Sequence, residues 1–184
     1  MLYFETERLI IRPWQMDDLD AFFQLEQNPN VGPNAGWKPI LDRAESAEIL
    51  KGFTEKPDEL CAITLKSSGR AIGSLGLHTD DKRAPELQKV TRMLGYVLDE
   101  PYWGQGYMTE AARGALRFAF ERMALELVSV YHFPFNDRSR RVIEKCGFRC
   151  EGTLRRATLR FDGAVLDDVL YSMTRDEFYT LYGV

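Results

Sequence analysis

The sequence has no strong excess of charge of either sign. Its 184 residues carry 24 lysines and arginines against 28 aspartates and glutamates, for a formal net charge of −4. So mild a balance creates no broad positive surface potential, which argues against binding nucleic acid over the whole surface. We therefore expect no nucleic-acid partner.

Long hydrophobic runs are also missing. No stretch approaches the roughly 20 apolar residues of a transmembrane helix. The first residues do not combine a basic segment with an apolar run, so no signal peptide is expected. The three cysteines, Cys61, Cys146 and Cys150, lack metal-ligand spacing and are expected to be buried thiols. These absences favour a cytoplasmic protein without a metal or a membrane partner.

The composition is that of an ordinary globular protein, with 45% hydrophobic and 28% charged residues. We expect a single domain over residues 1–184, as a monomer or homodimer. Apolar periodicity and turn signals predict strands at 7–14, 60–65, 71–78, 89–98, 127–133, 149–161 and 165–172. They predict a first helix with Asp17 as its N-cap, and further helices at 42–53, 110–123 and 137–145 and from 176. This order indicates an α/β (α+β) fold, a mixed sheet packed by helices.

The chain is organised around residues 103–110, Trp-Gly-Gln-Gly-Tyr-Met-Thr-Glu. A strand-like segment precedes this turn and the helix-like segment follows it. The first amide groups of a helix have no partner within the helix, and the helix dipole adds positive potential there. Gly104 and Gly106 would let a phosphate approach the backbone without a Cβ in the way. The turn is therefore predicted to hold the pyrophosphate of a nucleotide-type cofactor.

Two familiar phosphate loops do not fit this turn. A Rossmann fingerprint requires a third glycine where Thr109 stands, and it usually lies in the first βαβ unit instead of beyond mid-chain. A Walker A loop requires Gly-Lys-Ser/Thr, which the sequence does not contain.

The turn does resemble the acetyl-CoA loop of the GNAT acetyltransferase superfamily. Its form is typical of the Rim-type branch, which contains ribosomal-protein N-terminal acetyltransferases. Further segments resemble the same branch in the same order, at residues 6–14, 95–98, 136–148 and 168–172. The resemblance covers nearly the whole chain. It implies a GNAT fold, whose fourth and fifth strands splay apart to admit the pantetheine arm.

The resemblance also implies acetyl-CoA as the cosubstrate. A backbone N–H near Val97 or Leu98 would polarise the acetyl carbonyl group. The predicted contacts at the turn are Trp103, Gly104, Gln105, Gly106, Tyr107, Met108 and Thr109. Thr109 is equally a capping residue at the helix start, and Trp103 also fits a packing residue that supports the turn. Asn136 would bond the pantetheine arm, cap the following helix, or do both.

Acetyl transfer needs a neutral amine, a polarised carbonyl and a proton for the departing thiolate. Many relatives carry a glutamate base where this chain has Met93. Asp168 is predicted as a catalytic carboxylate, with an ion pair to a nearby arginine or a bound water as alternatives. Glu86 lies in a polar loop that favours a solvated carboxylate, and a strand histidine such as His132 is more often a packing residue. Ser139 is predicted to donate a hydrogen bond to the thiolate.

The loop at residues 28–39 carries Trp37, which is predicted to form a wall of the substrate site or, equally, to pack as a lid. The expected acceptor is a primary amine, on a small molecule or a protein N-terminus, that attacks directly in a ternary complex. The alternative is an acyl-CoA-binding protein of the same fold that has lost catalysis. Met93 keeps that alternative open.

Overall fold

A computed structural model of the chain describes residues 2–57 and 60–183. Its strands are β1 Phe4–Glu5, β2 Leu9–Pro13, β3 Cys61–Leu65, β4 Ala71–His78, β5 Thr91–Leu98, β6 Leu127–His132, β7 Arg149–Leu159 and β8 Val165–Thr174. Its α-helices are α1 Leu19–Gln27, α2 Gly32–Ala35, α3 Arg43–Glu55, α4 Tyr107–Arg117, α5 Asp137–Lys145 and α6 Arg175–Tyr182. None of the helices in these ranges is long and apolar enough to cross a membrane.

The strands form an eight-stranded sheet in the order β1-β2-β3-β4-β5-β6-β8-β7. β5 and β6 run parallel, whereas the pairs β1–β2, β2–β3, β3–β4, β6–β8 and β7–β8 are antiparallel. A parallel pair needs a crossover connection, and α4 supplies it between β5 and β6. The mixed sheet with helices predicted from the sequence is therefore confirmed.

The chain divides into two compact units. The first extends to Gly76 and includes Tyr96–Ala111, and the second comprises Leu77–Gly95 and the residues from Ala112 onward. That the chain forms one domain over residues 1–184 remains a prediction.

The first unit has an aromatic core beneath α1 and α3. Trp14 and Phe22 are buried, with ring centroids 5.0 Å apart in an edge-on arrangement. The predicted α1 cap at Asp17 is wrong, because Asp17 lies within a 3₁₀ turn, Met16–Asp18. Asp18 organises that turn instead, since its carboxylate accepts from the Gln15 amide at 3.0 Å and pairs with Arg12 at 2.7 Å.

The second unit is built on the α4 segment after Ala112 and on α6. Phe120 and Phe178 are both buried, with ring centroids 5.0 Å apart. The helix predicted at 110–123 begins earlier, at Tyr107, and after Arg117 it continues as a π-helix, Phe118–Arg122. It ends before Ala124, whose φ of 54° lies in the left-handed region typical of helix ends.

Three smaller expectations need correction. The two-residue strand β1 was missed, and the loop predicted at 28–39 contains the one-turn helix α2. Cys61 and Cys146 are buried as predicted, but Cys150 is exposed. Cys150 lies on β7, the last strand of the sheet order, where residues 149–156 are all exposed.

Candidate active site

The glycine turn lies in the first unit, immediately before α4. Gly104 and Gly106 have φ angles of 76° and 83°, in the region that favours glycine. A Cβ built on Gly104 would meet no atom within 4 Å, so space is open beside the turn. The hydrogen bond from the Glu110 amide to the Gly106 carbonyl oxygen, at 3.0 Å, starts the helix. The amides before Glu110 precede this first hydrogen bond of the helix. This position at a helix start fits the proposed pyrophosphate site.

Two side chains support the turn from within the same unit. Trp103 Nε1 donates to the Leu98 carbonyl oxygen at 2.7 Å, which joins the turn to the end of β5. Gln105 Nε2 donates to the Pro101 carbonyl oxygen at 2.9 Å. The supporting role expected for Trp103 is therefore present, and contacts of Trp103 and Gln105 with acetyl-CoA remain predictions.

A second support of the turn, which no sequence pattern indicated, is made by Thr6, Arg8 and Glu110. The Glu110 carboxylate accepts from Thr6 Oγ1 at 2.6 Å and from the Arg8 amide at 2.8 Å. Arg8 Nη1 donates to the Gln105 carbonyl oxygen at 3.1 Å, and the guanidinium lies 4.3 Å from the centre of the Tyr107 ring. Burial by itself raises the pKa of Glu110, but the hydrogen bonds from Thr6 and Arg8 outweigh it and lower the pKa below its ordinary value.

The other predicted cofactor contacts of this unit differ in burial. Leu98 and Met108 are buried, whereas Val97, Tyr107 and Thr109 are half-buried. A Cβ on Gly73 would lie 2.4 Å from the Val97 carbonyl oxygen, so β4 approaches this part of β5 where only glycine fits. The carbonyl-polarising role of Val97 or Leu98 stays a prediction.

Trp37, the predicted substrate wall, packs against α2. Its indole Nε1 would lie 2.8 Å from a Cβ on Gly32, and the Trp37 amide donates to the Gly32 carbonyl oxygen at 3.1 Å. The buried indole Nε1 has no hydrogen-bond partner among residues 2–57 and 60–183. These contacts show a packing role, and the substrate-wall role remains a prediction.

Asn136 and Ser139 lie at the start of α5 in the second unit. Asn136 Oδ1 accepts from the Ser139 amide at 3.1 Å, which confirms the capping role expected for Asn136. The half-buried Ser139 occupies the first helical turn. The roles of these residues toward pantetheine and thiolate remain predictions.

The β5–β6 ladder, also in the second unit, is short. Its registered pairs run from Thr91 and Leu127 to Met93 and Ser129. β6 continues to His132 and is paired there with β8. The parallel strands thus lose their register after Met93, as a splayed sheet requires.

Asp168, the predicted catalytic carboxylate, is fully buried on β8 in this unit. Its Oδ2 lies 3.3 Å from Lys82 Nζ, and its Oδ1 accepts a hydrogen bond from Thr158 Oγ1 at 3.0 Å. The ion-pair partner is thus a lysine in place of the expected arginine. Both oxygens are engaged by protein groups, and a catalytic role for Asp168 stays a prediction.

The other two candidate bases, Glu86 and His132, have the surroundings that the sequence predicted. Glu86 is exposed in a 3₁₀ turn, Pro85–Leu87. His132 is buried, its Nδ1 lies 2.8 Å from the Phe133 carbonyl oxygen, and its ring lies 5.6 Å from that of Tyr171. A packing role for His132 fits these contacts. In the described part of the chain, no cluster of three or more His, Cys, Asp or Glu side chains could hold a metal ion.

Comparison with known proteins identifies the family to which the chain belongs. The family described as acetyltransferase (GNAT) domain matches residues 8–149. The uncharacterized, SPbeta prophage-derived N-acetyltransferase YokL of Bacillus subtilis is 29% identical over 98% of each chain. An acetyltransferase of the GNAT family from Bacillus anthracis superposes with a TM-score of 0.84 at 22% identity, covering 96% of this chain and all of its own. The microcin C7 self-immunity acetyltransferase MccE, solved in complex with acetyl-CoA and AMP, has a TM-score of 0.76 at 18% identity, covering 91% of this chain and 93% of its own.

Proposed function

Since the chain belongs to the GNAT acetyltransferases and is an N-acetyltransferase, we propose that it transfers the acetyl group of acetyl-CoA to a primary amine. The acceptor is a small amine or a protein N-terminus, and it attacks directly in a ternary complex. The observation that carries this proposal is the open glycine turn at the start of α4, in a chain of this family. The MccE complex supports the choice of acetyl-CoA, because it shows a neighbour of the same fold with that molecule bound.

Different residues of this chain would bind different parts of acetyl-CoA. The amides of residues 104–109 would bond the pyrophosphate oxygens, and Asn136 would bond the pantetheine arm. Acetyl-CoA, when bound, supplies the activated acetyl group as a thioester. A backbone N–H near Val97 or Leu98 would bond the carbonyl oxygen, where negative charge develops during attack. Ser139 would donate a hydrogen bond to the sulfur as the thiolate departs.

Thiol release tests the proposal directly. Acetyl-CoA is incubated with the protein and a panel of small primary amines and peptides with free N-termini. We expect acceptor-dependent release of CoA and an acetylated product that mass spectrometry identifies. Tight acetyl-CoA binding without release on any acceptor would instead favour the acyl-CoA-binding protein that has lost catalysis. Absence of acetyl-CoA binding would overturn both.

The same assay with cell extract identifies the acceptor class. Mass spectrometry of the extract after incubation with acetyl-CoA would show acetylated protein N-termini in one case and acetylated small amines in the other. The acceptor pocket of an enzyme is commonly formed by loops, so the family alone does not define this choice.

A further inference from the structure

The segment that leads into the glycine turn is bonded to the start of the loop at residues 28–39. Glu100 is half-buried and is the first residue of a 3₁₀ turn, Glu100–Tyr102. Its carboxylate accepts from Asn28 Nδ2 at 3.1 Å, and from Asn30 Nδ2 at 3.1 Å through one oxygen and 2.9 Å through the other. All of these residues belong to the first unit. One carboxylate therefore joins two segments that are 70 positions apart along the chain.

The main chain of Glu100 is bonded to the glycine turn itself. The Glu100 carbonyl oxygen accepts from the Trp103 amide at 3.0 Å, and Trp103 is the first residue of the turn. The side chain of Glu100 thus contacts the loop, and its main chain contacts the segment whose amides are proposed to bond the pyrophosphate. Glu100 is therefore the direct connection between the two.

Asn28 has the side chain that this connection needs. Its Oδ1 accepts from the Asn30 amide at 2.8 Å, in an Asx-turn that folds the start of the loop. Its Nδ2 donates to Glu100 at the same time, which an aspartate could not do, because an ionised carboxylate only accepts. The Asn30 carbonyl oxygen accepts from Asn34 Nδ2 at 2.8 Å, so the contact extends to α2.

The neighbouring residue, Asp99, is held independently of the loop. It is buried, its Oδ2 accepts from Gln24 Nε2 at 2.7 Å, and its amide donates to the Ile72 carbonyl oxygen at 2.9 Å. These bonds hold Asp99 to α1 and β4. The bonds of Glu100 to the loop are closer to solvent, since Asn30 is exposed, and hydrogen bonds in such places open at low cost in free energy.

We propose that Glu100, Asn28 and Asn30 couple the glycine turn to the loop, so that acetyl-CoA bound at the turn orders residues 28–39. Glu100 is a positioning residue in this role, because it acts through the turn and the loop. The inference rests on the proposed function, in which acetyl-CoA occupies the turn. The loop carries Trp37, the predicted substrate wall, so the wall would be formed when acetyl-CoA is bound.

The physical basis of the coupling is conformational entropy. Pyrophosphate oxygens bonded to the amides of the turn restrict its motion. A loop that is bonded to an already ordered segment then loses less entropy when it becomes ordered itself. Coupling between two sites is reciprocal, so the bonded loop also tightens the binding of acetyl-CoA.

Hydrogen exchange followed by mass spectrometry tests this coupling, with acetyl-CoA as the only added ligand. The amides of Val31, Asn34 and Trp37 donate to carbonyl oxygens within residues 28–32, so peptides that cover residues 28–39 report the order of the loop. In the wild type we expect saturating acetyl-CoA to slow exchange in these peptides by about threefold or more.

Two variants reverse the polarity of the bond between Asn30 and Glu100. Asn30→Asp keeps the size of the side chain but replaces the donor with a carboxylate that repels Glu100. We expect it to abolish the slowing of loop exchange by acetyl-CoA and to raise the Kd for acetyl-CoA about fivefold. Adding Glu100→Gln to Asn30→Asp places a donor opposite the new acceptor, and we expect it to recover most of both losses. Thermal unfolding verifies that each variant is folded.

Gln27→Glu is the matched control. Gln27 is exposed at the end of α1, immediately before Asn28. The substitution adds the same negative charge without touching the bonds of Glu100, and we expect the wild-type Kd and the wild-type slowing of exchange. An equal rise in Kd for Gln27→Glu and Asn30→Asp would show that charge alone weakens binding, and would overturn the coupling.

The outcomes separate this inference from the proposed function. A wild-type protein that does not bind acetyl-CoA overturns the proposed function. A wild-type protein that binds acetyl-CoA with unchanged exchange at residues 28–39 overturns the coupling and leaves the function standing. Slowing that persists in Asn30→Asp, or that a folded Asn30→Asp/Glu100→Gln does not regain, would show that the order of the loop does not depend on Glu100.

Discussion

Arg8 Nε donates a hydrogen bond at 2.6 Å to the Glu110 carboxylate, across 102 residues of sequence. Glu110 lies in the first turn of α4, where a negative charge is favoured by the helix dipole. The same charge would repel a pyrophosphate bound at that end of the helix. Arg8 compensates it and also bonds the Gln105 carbonyl oxygen inside the turn. The pair therefore sets both the shape and the electrostatic potential of the glycine turn.

Removal of Arg8 is expected to weaken acetyl-CoA binding. In Arg8→Ala the carboxylate of Glu110 is left uncompensated, and we expect Kd to rise about tenfold, the equivalent of one charge-assisted hydrogen bond. The double variant Arg8→Ala/Glu110→Ala is expected to bind more tightly than Arg8→Ala, because the repelling charge is gone. Calorimetric titration at two salt concentrations measures both effects.

The exposed ion pair of Arg43 with Asp20, at 2.6 Å, provides a matched control. Arg43→Ala is expected to leave Kd unchanged, since an exposed pair contributes little to the fold and this pair lies on α1 and α3. Equal Kd values for Arg8→Ala and the wild type would contradict the electrostatic role of Arg8.

A bulky residue at Gly106 is expected to abolish acetyl-CoA binding. Gly106→Val imposes a β-branched side chain on a residue at φ 83° and covers the amides of the turn. Gly163→Val is the control, because Gly163 also has φ 83° but lies in the β7–β8 hairpin turn. Both variants are expected to lose about 1–2 kcal/mol of stability, and only Gly106→Val to lose binding. Retained affinity in Gly106→Val would show that the turn does not hold acetyl-CoA.

Ser139→Ala tests the hydrogen bond to the departing thiolate. The main-chain amide of residue 139 still bonds Asn136, so α5 keeps its cap. We expect kcat to fall about tenfold with the KM for acetyl-CoA unchanged, since the hydroxyl acts only as charge develops on sulfur. Steady-state thiol release measures both constants. An unchanged kcat with intact binding would remove Ser139 from the mechanism.

Asp168→Ala is expected to destabilise the protein by about 1.5–3 kcal/mol, because it leaves the Thr158 hydroxyl and the half-buried Lys82 ammonium without their shared partner. Urea unfolding measures the loss. The double variant Lys82→Met/Asp168→Leu is expected to recover much of it, because no buried charge remains. If Asp168→Asn stays folded but loses thiol release completely, the catalytic role predicted for Asp168 from the sequence is supported.

Glu26 is expected to make stability depend on pH. Burial, and then repulsion by Glu45, raises the pKa of Glu26 from 4.5 to about 7. Between these values the folded state holds a proton that the unfolded state has lost, so the free energy of unfolding falls as pH rises from about 4.5 to 7. In Glu26→Gln this contribution disappears. We expect that variant to be more stable than the wild type at pH 8 by about 1–2 kcal/mol, the shift being discounted for partial solvation.

Urea unfolding of both proteins at pH 4.5, 6 and 8 measures the contribution of Glu26. Glu45→Gln provides the comparison, since it removes only the smaller cause and is expected to give part of the gain. Parallel pH curves for the wild type and Glu26→Gln would contradict the raised pKa.

Local signals in the sequence predicted the parts of the site that local geometry determines. Gly104 and Gly106 mark positive φ angles because glycine alone adopts them without strain. Asp42 and Asn136 mark helix starts because their side-chain oxygens accept from amides two and three residues on. The family was predicted from the resemblance of several motif segments, in their order along the chain, to the GNAT superfamily, and that comparison needs no tertiary contact.

Where local signals compete, the prediction failed. Asp17 and Asp18 are equally good caps by composition, and the pairing of Asp18 with Arg12 decides between them. The start of α4 was placed three residues late, because a tyrosine and a methionine after Gly106 carry no helix-start signal of their own.

The sequence by itself determined the mixed fold and the position of the glycine turn, since each depends on residue types at short spacing, and its resemblance to the GNAT superfamily indicated the family. Only the tertiary structure decided that Arg8 neutralises Glu110, that Asp168 pairs with Lys82, and that Glu100 bonds Asn30. Each of these pairs joins residues that are at least 70 positions apart along the chain. Pairing at such separations is set by strand order and packing, and no local pattern encodes it.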